Sequence, residues 1–206
     1  MFTGLVEEMG VVTRIGRGDQ SARIEFAGDK VLSNLEIGGS IAVNGVCLTA
    51  IEIMDGHFAA DVSRQTLQVT SLGDLDKGDH VNLELPVTFG SAMGGHFVQG
   101  HVDGVALLAA RTAGDGWEDV SFTVPESLME FIVKKGSITL DGVSLTVADL
   151  DDTTSSITVA LIPETLKVTT LGAARVGARV NVEVDVLGKY VARAVTARLD
   201  GQNDNK

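Results

Sequence analysis

Cysteine, proline and aromatic residues are all scarce in this 206-residue chain, and each scarcity excludes something. With Cys47 as its one cysteine the chain cannot form an internal disulfide, which suits a reducing cytoplasm. Three prolines beside 24 glycines, with 44% hydrophobic residues, describe a turn-rich globule rather than a disordered chain. No apolar run approaches the roughly 18 residues of a membrane span. Met1–Glu8 offers neither a basic start nor an apolar signal core, so neither export nor a membrane role is expected. Basic residues are outnumbered, 16 against 28 acidic ones, leaving a net charge of −12. A field of that sign opposes polyanions and disfavours nucleic acid as a partner. An aromatic content of 4% leaves few platforms for stacked bases, which weighs against an oligonucleotide-binding barrel. A phosphate-cradling loop is missing too, because Gly94-Gly95 does not continue into the glycine-lysine pattern such loops need.

What the chain does contain, it contains twice. Gly39-Ser40-Ile41-Ala42-Val43-Asn44-Gly45-Val46-Cys47-Leu48-Thr49 returns as Gly136-Ser137-Ile138-Thr139-Leu140-Asp141-Gly142-Val143-Ser144-Leu145-Thr146. Gln65-Thr66-Leu67 returns as Glu164-Thr165-Leu166, and Val69-Thr70-Ser71-Leu72-Gly73 as Val168-Thr169-Thr170-Leu171-Gly172. Gly78-Asp79-His80-Val81-Asn82-Leu83-Glu84 is answered by Gly177-Ala178-Arg179-Val180-Asn181-Val182-Glu183. A period near a hundred residues is too long for a solenoid repeat of about 20–50 residues and long enough for a domain with its own core. One module has been duplicated in tandem, and its function is to be sought where the copies differ.

Each copy reads as short strands between tight turns. Ile41–Val43, Cys47–Ile53 and His80–Leu85 are apolar or alternating runs. Asn44-Gly45, Asp55-Gly56 and Asp141-Gly142 are turn dipeptides. Many short strands at even spacing predict a small antiparallel barrel, which also removes exposed edges. The expected class is therefore all-β, with units over 1–90 and 91–186 that meet between Val87 and Gly95. Pro125 opens a short helix over Glu126–Ile132. The clearest helix comes last, where Leu187, Tyr190, Val191, Ala194, Val195, Arg198 and Leu199 keep a 3.6-residue period. It has no counterpart in the first module. Its stripe packs either on its own barrel or on the same helix of another chain, and the oligomer is the favoured reading. Residues 187–206 form the third unit, with Gly201–Lys206 expected as a frayed tail.

Several ordered segments carry a family resemblance over essentially the whole chain. They are Met1–Val6, Asn44–Thr49, Gly94-Gly95-His96-Phe97-Val98-Gln99-Gly100-His101-Val102-Asp103, Lys135-Gly136, Asp141–Thr146 and Leu161-Ile162-Pro163-Glu164-Thr165-Leu166. Together they resemble the riboflavin synthase alpha-chain family. The resemblance implies two six-stranded Greek-key barrels with a C-terminal helix, a homotrimer, and a dismutation that uses no cofactor and no metal. Two molecules of 6,7-dimethyl-8-ribityllumazine exchange a four-carbon unit, giving riboflavin and 5-amino-6-ribitylaminouracil. It implies a productive pair of sites between the first barrel of one subunit and the second of a neighbour, and allows association with lumazine synthase. A duplicated module suits this chemistry, since two identical substrates must play unlike roles and holding both together lowers the entropic barrier. The rival reading is a non-catalytic lumazine- or flavin-carrying antenna on the same scaffold. Such a protein should have lost reactive side chains that are retained in this chain.

The resemblance implies catalytic roles for Ser144, His101, Cys47, Lys135 and Asp185. Cys47 and Ser144 follow equivalent turns and precede Leu-Thr, so they occupy equivalent positions in the two pockets. Ser144 is expected to assist in the second pocket and Cys47 in the first, by adding to or holding water at an electrophilic carbon. His101 is the acid/base candidate, because imidazole titrates near neutrality, while His96 is expected to be structural or to support the reacting groups from behind. His96 and His101 together make a poor metal site. Lys135, opposite Gly38 of the first repeat, would stabilise an anionic heterocycle. Asp185 is both a helix N-cap and a catalytic candidate. Asp141 against Asn44 reads equally as turn chemistry. Phe2 is a core aromatic whose segment the family places against the first pocket. Substrate is expected to touch Gly4, Leu5, Val6, Cys47, Leu48, Thr49, Asp61, Val62, Ser63, Arg64, Gln65, Thr66, Gly100, His101 and Val102. It is also expected to touch Lys135, Ser144, Leu145, Thr146, Ala160, Leu161, Ile162, Pro163, Glu164 and Thr165. Gln65 departs from the family, which usually carries Glu there. Gln both donates and accepts, so pairing to a pyrimidinedione edge survives with altered affinity.

Overall fold

A computed structural model describes residues 1–203, with side chains as far as Leu199; Asp204–Lys206, the end of the expected tail, lie outside the described residues. The first module folds as β1 (Glu8–Arg17), β2 (Ser21–Ala27), β3 (Ser40–Val43), β4 (Val46–Met54), β5 (His57–Ser63), a short helix α1 (Arg64–Val69) and β6 (His80–Glu84). The second repeats it as β7 (Gly104–Ala113), β8 (Glu118–Thr123), β9 (Ser137–Leu140), β10 (Val143–Asp151), β11 (Ser156–Leu161), α2 (Pro163–Val168) and β12 (Arg179–Val184). The strands close into two antiparallel barrels with equivalent orders, β1-β2-β5-β4-β3-β6 and β10-β11-β8-β7-β12-β9. Bulges at Val12/Arg14 and Ala50/Glu52 recur at Leu108/Ala110 and Val147/Asp149, where the strands bend to close each barrel. The segment opened by Pro125 is a 3₁₀ helix over Glu126–Phe131.

Each barrel has its own core. The first packs Phe26 on Phe58, rings 5.1 Å apart, with Ile24, Ile41, Val81 and Leu83. The second uses Phe122 with Ile157, Ile138, Leu140 and Val182. Inward residues alternate with more exposed ones along strands such as β2, whereas β3, β6, β9 and β12 are buried on both faces.

The barrels meet across an approximate twofold axis between the turns Asn44-Gly45 and Asp141-Gly142. A Cβ on Gly45 would lie 2.7 Å from the Gly142 nitrogen, and one on Gly142 2.8 Å from that of Gly45. Only glycine permits this approach. Around it runs a reciprocal polar network. Asn82 Nδ2 donates to the Asp141 carbonyl at 2.8 Å and Asn181 Nδ2 to the Asn44 carbonyl at 2.9 Å. Their Oδ1 atoms accept from the Thr170 and Ser71 N–H groups. Two residues that read as strand positions in the sequence therefore fasten the modules together.

The last helix, α3, runs over Val186–Asn203, so Gly201–Asn203 continue the helix instead of fraying. Asp185 Oδ1 accepts the Leu187 N–H at 3.0 Å, the N-cap expected of it. The start of α3 touches the second module, with Gly188 against Phe131 and Lys189 paired with Asp103. Leu187, Tyr190, Val191, Val195 and Leu199 all stay exposed, Tyr190 by 71%. The stripe is not packed back on its own barrel.

Candidate active site

The segments preceding each barrel exchange places. Phe2 and Val98 pair as an antiparallel bridge, with hydrogen bonds of 2.7 and 3.1 Å. Phe2 packs with Ala42, Val98 and Cys47 of the first module, but the rest of its segment, expected against the first pocket, runs to the second barrel. Beyond the bridge the two arms cross. Gly4 (φ +77°) hands its carbonyl to the Ser144 N–H at 2.8 Å, and Val6 packs on the second core. Gly100 (φ +79°) hands its carbonyl to the Cys47 N–H at 3.0 Å, and Val102 packs on the first core. A Cβ would meet Ser144 Cβ at 2.6 Å from Gly4, and Cys47 Cβ at 2.5 Å from Gly100, so both positions need glycine for space and for φ. Thr3-Gly4-Leu5-Val6 and Gln99-Gly100-His101-Val102 are thus equivalent, and each serves the other module's barrel.

On β4, Cys47 and Thr49 face outward while Leu48 points into the core; on β10, Ser144 and Thr146 face outward likewise, with Leu145 half-buried. The β4–β5 pairing ends at Ala50 against Ala60, and beyond it Asp61 and Ser63 finish the strand that neighbours the one carrying Cys47 and Thr49. In the second barrel the pairing likewise ends at Val147 against Val159, and by repeat position Ala160 and Ile162 stand where the first module has Asp61 and Ser63. The first pocket is therefore polar where the second is apolar. The helices repeat the contrast: Ser63 caps α1, accepting the Thr66 N–H at 3.2 Å, whereas Ile162 and Pro163 start α2 without a side-chain cap. Arg64, Gln65, Pro163 and Glu164 are exposed, and Thr66 and Thr165 half-buried. Val62 and Leu161 turn into their cores and offer a ligand only backbone.

Ser144 has a histidine beside it, and it is His96. Its Nδ1 shares a 2.7 Å hydrogen bond with Ser144 Oγ, and its Nε2 shares one of 3.1 Å with Thr139 Oγ1. Burial lowers the His96 pKa below its ordinary 6.5, with Asp185 close enough to draw it partly back. The neutral ring can accept the serine proton on Nδ1 while giving Nε2–H to Thr139. Gly95 admits this contact, for a Cβ there would strike Ser144 and the Thr3 carbonyl. His101 is exposed and lies on the arm over the first pocket, held through its backbone N–H by Glu183 at 3.1 Å. The crossing of the arms, invisible in the sequence, takes the His101 arm to Cys47 and leaves His96, expected to be structural or supporting, in direct contact with Ser144. Thr139 was missed altogether, because its equivalent in the first module is Ala42.

Lys135 is exposed and adopts φ +69°, where the first module has Gly38 at +85°. A side chain held left-handed costs about 1 kcal/mol or more. Asp141 is buried, with Oδ1 accepting the Asn181 N–H at 2.8 Å, and burial pushes its carboxyl up to about 7. A cleft of about 780 Å³ opens between the barrels over Asn44, Ser71, Asp141 and Thr170, but none of the expected site residues lines it. Both expected pockets are open faces in a single chain, with Arg64, Gln65 and His101 exposed at the first and Leu5 and Ile162 at least half exposed at the second. No group of side chains suited to a metal ion occurs among the described residues, and no helix among them is long and apolar enough to cross a membrane.

Comparisons with known proteins agree with the duplicated architecture. The family model of the lumazine binding domain matches twice, over residues 3–86 and 99–185. The chain is 49% identical over 195 residues to riboflavin synthase of Mycobacterium tuberculosis (strain H37Rv), covering 94% of this chain and 97% of the relative. It is 39% identical to riboflavin synthase of Bacillus subtilis (strain 168), covering 100% and 93%, and 39% identical to that of Escherichia coli (strain K12), covering 98% and 97%. Among solved structures, LumP complexed with riboflavin superposes with a TM-score of 0.83 at 30% identity, over 89% of this chain and 99% of that one. LumP complexed with 6,7-dimethyl-8-ribityllumazine gives 0.80 at 28% identity, with the same coverage.

Proposed function

The chain belongs to the riboflavin synthase family, and from that membership we propose how its residues divide the work. The reaction transfers four carbons from one 6,7-dimethyl-8-ribityllumazine to another. Riboflavin and 5-amino-6-ribitylaminouracil together contain all the atoms of the two substrates, so no oxidant or reductant is consumed. The chain must therefore bind two copies unequally, remove protons from a methyl group of one, and help a nucleophile add to C7 of the other.

Ser144 with His96 forms the proton-handling pair of the second pocket. The neutral ring takes the hydroxyl proton on Nδ1, and Thr139 steadies the imidazole from its far side. Cys47 occupies the matching place in the first pocket, with His101 on the arm above it. Thr49 and Thr146 bond the heterocycles from the outward face of their strands. Lys135 stabilises anionic character in the ring, and its retention in a left-handed conformation, where the first module has glycine, supports a role beyond solubility. Asp185 caps α3 and keeps negative charge near His96. The polar setting of Asp61, Ser63 and Arg64 against Ala160, Ile162 and Pro163 supports unequal affinities for the two substrate molecules.

The oligomer in this reading is a homotrimer in which a neighbour closes each open pocket. The exposed stripe of α3 and the uncovered pocket faces support it. The two closed barrels and α3, which starts at Val186, support a division into units over 1–90, 91–186 and 187–206, and the lone Cys47 thiol supports a cytoplasmic location. The observation that carries the function is likeness to riboflavin synthases over nearly the whole chain, through both barrels. Purified protein mixed with 6,7-dimethyl-8-ribityllumazine should yield one riboflavin per two substrates consumed, without added cofactor. Binding without any riboflavin formed would overturn the enzymatic reading in favour of a carrier.

A further inference from the structure

Two buried carboxylates that play no part in the reaction hold the crossing arms. Glu84, the last residue of β6, accepts the N–H groups of Thr3 and Gly4 at 2.7 and 3.0 Å and the Thr3 hydroxyl at 2.8 Å. Glu183, near the end of β12, accepts the N–H groups of Gln99, Gly100 and His101 at 2.7, 2.9 and 3.1 Å. Both side chains are buried, and neither forms an ion pair among the described residues. A carboxylate out of water is costly unless donors converge on it, and only Glu183 also feels a nearby cation, Lys189. Here three donors converge in each module, and all of them belong to the arm. The residue each carboxylate grips, Gly4 or Gly100, is the one whose carbonyl then meets the reactive strand of the opposite barrel. In the second arm the hold extends further: Asp103 Oδ2 accepts the Val184 N–H at 3.0 Å, and Oδ1 pairs at 2.6 Å with Lys189 of α3.

We propose that Glu84 and Glu183 are positioning residues whose effects are crossed. Glu183, in the second barrel, sets the arm that closes over Cys47 in the first. Glu84, in the first barrel, sets the arm that lies on Ser144 in the second. The inference rests on the reading of Cys47 and Ser144 as pocket residues. A glutamine in either place keeps the shape but presents one oxygen and an NH₂ group to three donors. At least one donor then loses its partner, and the arm loosens.

Cys47 is the chain's only cysteine, so a thiol reagent reports on the first pocket alone, without substrate or turnover. In the full-length protein, Glu183→Gln should raise the rate of Cys47 alkylation by iodoacetamide about tenfold, the factor given by losing one hydrogen bond to a charged group. Glu84→Gln should leave that rate unchanged. Gly100→Ala displaces the same arm with the Glu183 carboxylate itself unchanged and should reproduce the rise, which covers the case of a Glu183→Gln that does not fold. An equal rise in both glutamate variants would mean general loosening and would overturn the crossed assignment. So would an unchanged rate in Glu183→Gln or in Gly100→Ala. Riboflavin formation, measured in parallel, keeps this outcome apart from failure of the enzymatic reading.

Discussion

Asp141 should weaken the protein progressively as pH rises, and Asp141→Asn should remove that weakness. The two turns at the barrel interface are nearly superimposable in their chemistry. Asn44 (φ +44°) accepts the Asn82 N–H on Oδ1 at 2.7 Å, and Asp141 (φ +46°) accepts the Asn181 N–H on Oδ1 at 2.8 Å. Asparagine is therefore already shown to fit this backbone and this bond. Burial lifts the Asp141 carboxyl from its ordinary 3.8 to about 7. Between those values the folded chain holds a proton that the unfolded chain has released. Stability falls as pH rises from about 4 to about 7 and then levels off. At about 1.36 kcal/mol per pH unit, the loss approaches 4 kcal/mol at pH 8 and is about 2 kcal/mol at pH 5.5. Asparagine carries no such loss. Urea unfolding of both proteins at pH 5.5 and pH 8, at one fixed protein concentration, measures the difference. The advantage of Asp141→Asn should grow by about 2 kcal/mol between the two pH values, a change that cancels any pH-independent effect of the amide. An advantage that is the same at both pH values, or larger at pH 5.5, would refute the picture of a carboxyl held reluctant to ionise by burial.

Ser144→Ala should lower kcat on the order of tenfold or more with a smaller change in KM, as expected for a group used mainly in the transition state. The acid limb of wild-type kcat/KM should lie below pH 6.5, because burial lowers the His96 pKa, and His96→Gln should abolish that limb. Wild-type kcat in His96→Gln alongside a dead His101→Gln would return the acid/base role to His101. Truncation before Leu187 should dissociate the oligomer in sedimentation and cut turnover, and a truncated trimer of full activity would sink the role given to α3. A fragment over residues 1–90 lacks Val98 and Gly100, the partners of Phe2 and Cys47, so it should pair with a second copy whose Phe2–Leu5 arm takes their place. A folded, strictly monomeric fragment that still binds riboflavin would show that the arms are dispensable.

Much of this protein was written locally. Turn dipeptides at Asn44-Gly45 and Asp141-Gly142, alternation along β4 and β10, and the 3.6-residue stripe of α3 depend on backbone preferences and side-chain period within a few residues. Duplication made Cys47 and Ser144 equivalent by position alone, and Asp185 before an apolar period was a cap before its bond was seen. The Glu at the end of each Val-Asn-Leu/Val-Glu run could have been found from an acidic residue closing an apolar strand. Its three donors could not, since Glu84 lies 81 and 80 residues from Thr3 and Gly4. Only the tertiary structure decided which barrel each arm serves, and so which histidine stands beside Ser144. His96 and Ser144 are 48 residues apart and joined through a Gly95 that lets two backbones touch. A sequence states which residues are equivalent under duplication. Whether an arm lies on its own barrel or on its sister's depends on long-range packing of Val6 and Val102 and on buried carboxylates that no local period encodes.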